Sequence, residues 1–219
     1  EAFERAHPGF VDPAGADDLR SREFGRLDAA GHVYLDYTGA GLYGASQVRR
    51  HLDLLQGDVL GNPHSESPTA RRSTALVNEA RRHVQSFFSA SPDEYCVIFT
   101  GNASHALKLV GESYPFGPGG RFLLTFDNHN SVNGIREFAR ARGAETTYVP
   151  VVPPDLRADP AALSAALARA EPARHNLFAY PAQSNFSGVQ HELEWIAEAQ
   201  ARGWDVLLDA AAYVPTNHL

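Results

Sequence analysis

Residues 121–149, RFLLTFDNHNSVNGIREFARARGAETTYV, decide the fold. The apolar run Arg121 to Phe126 reads as a buried strand and ends in a polar turn. Apolar residues then recur at helical spacing from about Ser131 to Arg142, and Thr146 to Val149 reads as the next strand. The alternation continues in both directions. Upstream, Val97 to Thr100 reads as a strand leading to a helix from Ala103. Downstream come a helix over Pro160 to Arg169, with proline placed at its start, and a strand over Asn176 to Tyr180. A helix over Glu192 to Arg202, stopped by Gly203, precedes a final strand over Trp204 to Leu208. Five strands separated by helices imply an α/β fold, a mostly parallel sheet covered by helices on both faces. The last strand has no closing helix before Leu219, so the sheet is expected to be truncated, part of a larger unit.

Residues 1–32 are polar, with scattered Gly and Pro, and read as an N-terminal extension. Residues 33–95 read as an arm and helices leading into a large domain over 96–219. Within the arm, Val33 to Asp36 is expected as a short strand stopped by the glycine-rich Thr38 to Gly41. Helices are expected over Ala45 to Leu55 and Thr69 to Ser89, separated by a loop containing Gly61-Asn62-Pro63-His64-Ser65.

The chain has 219 residues, of which 43% are hydrophobic and 21% charged, enough apolar material for a sizeable core. A net charge of -7 argues against a general electrostatic grip on nucleic acid. No apolar stretch approaches the roughly 18 residues that suggest a membrane span. The single cysteine, Cys96, cannot form an intramolecular disulfide, which favours a reducing, cytoplasmic setting. Its apolar neighbours lead one to expect a buried thiol. Among 19 basic residues there is one lysine, Lys108.

In an open parallel sheet, ligands bind beyond the carboxyl ends of the strands, so the residues after each strand carry the chemistry. Gly101-Asn102-Ala103-Ser104-His105 opens a helix with small, hydrogen-bonding residues, which is either a phosphate seat or a plain capped turn. No Gly-x-Gly-x-x-Gly or P-loop is present. Asp127-Asn128-His129-Asn130-Ser131 places four hydrogen-bonding side chains and a possible ring-stacking or proton-exchanging histidine behind a strand. Asn185 comes after the Asn176 to Tyr180 strand and is a candidate amide donor, or a turn asparagine before Gly188. Asp209 ends the fully apolar Val206-Leu207-Leu208 and calls for a cationic partner: a metal, an arginine or a protonated ring nitrogen.

Taken together, Tyr34-Leu35-Asp36, Gly61 to Ser65, FTGNASHALKLV (99–110), DNHNSVNGIREFA (127–139), SNFSG (184–188) and LLDAAA (207–212) resemble the fold-type I pyridoxal-phosphate enzymes. More narrowly, they resemble the class V aminotransferase and cysteine desulfurase superfamily, and most of all the N-terminal domain of molybdenum cofactor sulfurases. The resemblance implies a PLP-dependent transferase-like three-layer sandwich holding pyridoxal 5'-phosphate. It implies that Asn102, Ala103 and Ser104 cradle the phosphate and that His129 stacks on the pyridine ring. Asp209 would pair with the ring nitrogen, and Asn185 would contact the ring hydroxyl or the substrate carboxylate. His129 and Asp209 would thus be the catalytic pair, Asn62 and His64 would approach the site or a dimer interface, and no metal is called for. The substrate would be an amino acid, by resemblance cysteine, and the enzyme a homodimer with no nucleic-acid or membrane partner.

Two departures qualify the resemblance. Ala103 and Ala212 stand where relatives commonly carry a hydroxyl residue and a glutamine. These enzymes also hold the cofactor on a lysine after the aspartate strand, whereas Lys108 lies in the helix after Ser104. Three readings remain open: a sulfur-mobilising enzyme or another class V reaction whose lysine lies beyond Leu219; a domain that kept the fold and lost the chemistry; or a metal-dependent hydrolase using Asp127, His129 and Asp209.

Overall fold

The computed structural model describes residues 5–9, 15–37 and 39–219. Thr38 and parts of the expected N-terminal extension lie outside the described residues. The chain divides into two compact units, Glu1–Tyr95 and Cys96–Leu219.

The first unit contains helices α1 (Ala16–Ala29), α2 (Ala45–Gly57) and α3 (Pro68–Phe87). Glu23 of α1 accepts the Ser46 N–H at 2.8 Å and so satisfies an open donor in the first turn of α2. That bond holds the Glu23 carboxyl at about 2, well below the usual carboxylate range. Ser67 caps α3 from outside, with Pro68 in the first helical position. Val33 to Asp36 is not a strand. Asp36 instead closes a local turn, its carboxylate and carbonyl accepting the N–H groups of Gly39 and Ala40 respectively.

The second unit is built on strands β1 (Arg121–Thr125), β2 (Glu145–Val149), β5 (Asn176–Pro181) and β6 (Asp205–Asp209). They form one parallel sheet in the order β2-β1-β5-β6. A two-stranded hairpin, β3 (Val151–Val152) with β4 (Arg157–Ala158), comes after β2. The helices are α4 (Ala103–Ser113), α5 (Asn130–Asn133), α6 (Ile135–Ala141), α7 (Pro160–Leu167) and α8 (Trp195–Ala201).

Side chains that alternate along β1 and β5 divide between two cores. Phe122, Leu124, Leu177 and Ala179 pack with Leu107, Val132, Ile135 and Ala139 from α4, α5 and α6. Leu123, Phe178 and Tyr180 pack with Leu163, Leu167, Ala199 and Trp204, on the side of α7 and α8. This is the expected α/β arrangement with helices on both faces. Its ends reflect local chemistry. Asp159 caps α7 through the N–H groups of Ala161 and Ala162, at 2.9 and 3.1 Å, with Pro160 behind it. Gly203, at φ 85°, takes the left-handed conformation that ends α8.

Four expectations fail here. Val97 to Thr100 belongs to no ladder among the described residues, so Ile98 and Phe99 stay 63% and 52% exposed. A strand is stable only when its backbone groups find a neighbour. Cys96 is exposed for the same reason. The single helix expected over Ser131 to Arg142 is two, α5 and α6, divided at Gly134. Helix α8 begins at Trp195 rather than Glu192.

Phe178 is fully buried and stacks on Tyr180, with ring centroids 5.0 Å apart. Phe178→Ala is expected to lower the unfolding free energy of the second unit by about 3–5 kcal/mol in urea denaturation. A loss below about 1 kcal/mol would contradict this account of the core.

Candidate active site

The sheet order β2-β1-β5-β6 contains one reversal. From β1 the chain moves outward to β2, then returns to the other side of β1 for β5 and β6. The loops leaving β1 and β5 therefore diverge and open a crevice at the carboxyl ends of adjacent strands, where open α/β sheets bind ligands. His129 lies in the first loop and Asn185 in the second. Both line a cavity of about 470 Å³, together with Phe126, Asn128, Leu156 and Phe186.

The turn carrying His129 is tightly fixed. Asn128 is buried, and its amide donates to the Thr125 carbonyl at 2.8 Å, to Thr125 Oγ1 at 3.0 Å and to the Ala179 carbonyl at 3.2 Å. Asn133 donates to the Asn128 carbonyl at 3.0 Å. His129 Nδ1 accepts the Ser131 N–H at 3.2 Å, which places the ring proton of neutral imidazole on Nε2. Ser131 Oγ lies 3.0 Å from that Nδ1 and 2.6 Å from Ser104 Oγ. A hydrogen-bonded chain thus joins the start of α4 to the histidine in the crevice.

At the start of α4, Asn102 accepts the His105 N–H at 2.9 Å. Its carboxamide oxygen is therefore occupied as a helix cap, and the N–H groups of Ala103 and Ser104 point out of the first turn. Asp209 ends β6 half-buried beside Pro181 of β5. Asp209 Oδ1 accepts the Ala211 N–H at 3.1 Å. No basic side chain forms an ion pair with Asp209 among the described residues.

Asp127 has a different role. It is 7% exposed, and its Oδ2 lies 2.9 Å from Nε2 of His191, also 7% exposed. Burial pushes the Asp127 carboxyl up, but its interaction with His191, aided by the Thr125 hydroxyl and a backbone N–H, outweighs it and holds the group below the usual carboxylate range. With Asp127 committed to His191, the hydrolase reading loses its donor set. No group of three or more His, Cys, Asp or Glu side chains able to hold a metal occurs among the described residues. Lys108 stands apart, on the exposed side of α4, with Nζ 3.5 Å from Glu112 Oε1.

The structure therefore brings Ser104 and His129 together through Ser131, and His129 and Asn185 around one cavity. Ser131, Ser184 and His191 are the residues that sequence reasoning left without a role. Ser131 carried a local signal, two positions after His129. The His191–Asp127 pair spans 64 positions and carried none.

An α/β sheet with a ligand-sized crevice at its switch point, largely apolar with a few polar groups, defines a ligand-binding domain of the enzyme type. Residues 33–219 match the aminotransferase class-V family, and the chain belongs to that family. It is 40% identical over 219 residues to the molybdenum cofactor sulfurase of Bos taurus, covering 92% of this chain and 24% of that protein. Among solved structures it is similar to the apo cysteine desulfurase of Thermococcus onnurineus NA1, with a TM-score of 0.75 and 23% identity, over 92% of this chain and 48% of that one. It is also similar to a C-DES mutant with glycine covalently linked to its PLP cofactor, with a TM-score of 0.68 and 19% identity, over 87% and 49% of the two chains. The chain spans about a quarter of the length of the curated relatives it matches and about half that of the solved structures.

The depressed Asp127 carboxyl gives a signed expectation. Its stabilising contribution is complete above the unfolded value near 3.9 and is lost as pH falls through the lower folded value. Urea midpoints measured from pH 7 to pH 2 should show this as an acid limb. Asp127→Asn should be less stable at pH 7 and show a shallower limb; an unchanged limb would contradict the assignment.

Proposed function

We propose that residues 33–219 form the cofactor-binding part of a pyridoxal 5'-phosphate enzyme that mobilises sulfur from cysteine. The observation that carries this reading is the hydrogen-bonded chain Ser104–Ser131–His129, which couples an open helix start to a histidine at the switch point. The residues fit the cofactor. The start of α4 offers backbone N–H groups and the Ser104 hydroxyl to a phosphate dianion, with the helix dipole behind them. The Ala103 methyl offers no hydroxyl, so Ser104 is the single side-chain hydroxyl in that first turn.

Asn102 keeps the first turn of α4 open by capping it. His129, held at Nδ1 by Ser131, lines the cavity and would stack on a flat aromatic ligand. Asp209 carries an uncompensated carboxylate at the end of an apolar strand and would keep a pyridine nitrogen protonated. Asn185 would donate its amide to the ring hydroxyl or to the substrate carboxylate. When bound, pyridoxal 5'-phosphate supplies an electron sink for bonds at the substrate α-carbon.

Sulfur would leave cysteine for a second thiolate, giving alanine and an enzyme persulfide. The sulfurase and desulfurase relatives support this choice over other class V reactions. Lys108 is engaged with Glu112 away from the crevice, so the covalent lysine is assigned to a part of the protein other than residues 1–219. We place the enzyme in the cytoplasm, on the support of Cys96, which is unpaired within residues 1–219. We read it as a homodimer, a reading supported by the exposed Val48, Leu52 and Leu55 on one stripe of α2.

The test uses full-length protein supplied with pyridoxal 5'-phosphate. The expected result is a visible absorption band that borohydride abolishes, with alanine released from cysteine. Asp209→Ala should weaken cofactor affinity about 10- to 100-fold, as loss of a charge-assisted hydrogen bond does. No band in the full-length protein, or unchanged affinity in Asp209→Ala, would overturn the reading and favour a domain that kept the fold without the chemistry.

A further inference from the structure

We infer that His191 is a positioning residue for this site, acting through Asp127 to lock the loop of His129 to the loop of Asn185. The inference rests on the cofactor reading above for its meaning, but its geometry stands on the fold alone. His191 lies in the segment after β5, and its backbone N–H donates to the Ala182 carbonyl at 3.0 Å. Its ring is packed against Trp195, with centroids 5.1 Å apart, and edge-on to Tyr180. Two aromatic neighbours and one backbone bond hold the imidazole in one direction, toward Asp127.

Asp127 receives two ties from the β5 side. His191 Nε2 meets its carboxylate at 2.9 Å, and Ser184 Oγ donates to its carbonyl at 3.3 Å. Ser184 is buried, directly precedes Asn185, and accepts the N–H groups of Phe186 and Ser187 on the same hydroxyl. The other carboxylate oxygen, Oδ1, is buried without a hydrogen-bond partner among the described residues. Apart from Thr125 of its own strand, His191 is the side chain that steadies this carboxylate, which cannot turn to water. Two residues on from Asp127 stands His129, and four on stands Ser131. Any drift of Asp127 therefore moves both the ring in the crevice and the hydroxyl that reaches Ser104. The pair spans the same divergence between β1 and β5 that opens the crevice, and it fixes how far the crevice opens.

A buried pair admits two tests of different character. His191→Gln keeps an N–H donor toward Asp127. The double variant Asp127→Leu/His191→Leu removes both polar partners together and leaves no orphan carboxylate, a replacement that buried pairs often tolerate. Full-length protein in the three forms is to be compared in cofactor-free melting temperature, in hydrogen–deuterium exchange and in pyridoxal 5'-phosphate affinity.

The expected pattern is specific. His191→Gln stays within about threefold of the parent in exchange and affinity, as rescue by a conservative donor requires. The double variant melts cooperatively within a few degrees of the parent and exchanges normally in β1 and β5. Its amides at Val132, Asn133 and Gly134, which bond back to His129 and Asn130, exchange at least about tenfold faster. Its cofactor affinity falls at least about tenfold.

Unchanged exchange at 132–134 in the double variant would overturn the inference, as would accelerated exchange spread across β1 and β5. Loss of cooperative melting would also overturn it, making the pair a folding requirement instead of a local clamp. If the parent protein binds no pyridoxal 5'-phosphate, the functional proposal fails alone, and the exchange result still decides the role of His191.

Discussion

Parallel pairing on both sides of β1 is the constraint on which the rest of the structure depends. Because β2, β1, β5 and β6 all run the same way, every strand delivers its next residue to the same edge of the sheet. The order β2-β1-β5-β6 then splits the connections between β1 and β5. Backbone hydrogen bonds hold these two strands together while their loops must part, and the gap is filled by side chains rather than main chain. Asn128, reaching back to the Ala179 carbonyl, and Ser184, reaching across to the Asp127 carbonyl, stitch the floor of that gap.

The two edges of the sheet use charge differently. At the amino ends, Arg121 pairs with Glu145 and Glu171, and Arg169 pairs with Glu145, a closed network of opposite charges. The exposed Arg169–Glu145 pair is worth no more than about 1 kcal/mol, whereas Arg121 is largely buried. At the carboxyl ends, Asp209 keeps a carboxylate without a cation among the described residues, and the start of α4 keeps N–H groups turned outward. The carboxyl ends thus offer both an anion and backbone donors that are unmatched among the described residues. A ligand with a phosphate and a protonated ring nitrogen complements both.

Much of the second unit was legible in the sequence because its signals are local. The apolar runs at 121–126 and 176–180, Pro160 behind Asp159, and Gly203 behind Arg202 each specify an element within a few residues. The turn at 101–105, His129, Asn185 and Asp209 stand out as candidates in the same way, because each lies just beyond the carboxyl end of an apolar run. The illegible part depends on partners far along the chain. Val97 to Thr100 has strand composition but no ladder, so composition predicted a strand and a buried Cys96 that the fold does not make. Val33 to Asp36 lost to a turn closed by its own aspartate. Asp127 looked like a candidate metal ligand because nothing nearby in sequence showed that His191 would claim it. Ser131 carried a local signal beside His129, but its contact with Ser104 on another helix was not legible.

The central claim is that the strand ends at the β1–β5 divergence form one cofactor site. A crystal structure of the full-length protein grown with pyridoxal 5'-phosphate tests it most directly. The predicted result is phosphate density at the N–H groups of Ala103 and Ser104, the ring against His129, and its nitrogen within hydrogen-bond distance of Asp209. Cofactor density elsewhere in the protein, or a crevice holding only water at saturating cofactor, would contradict it.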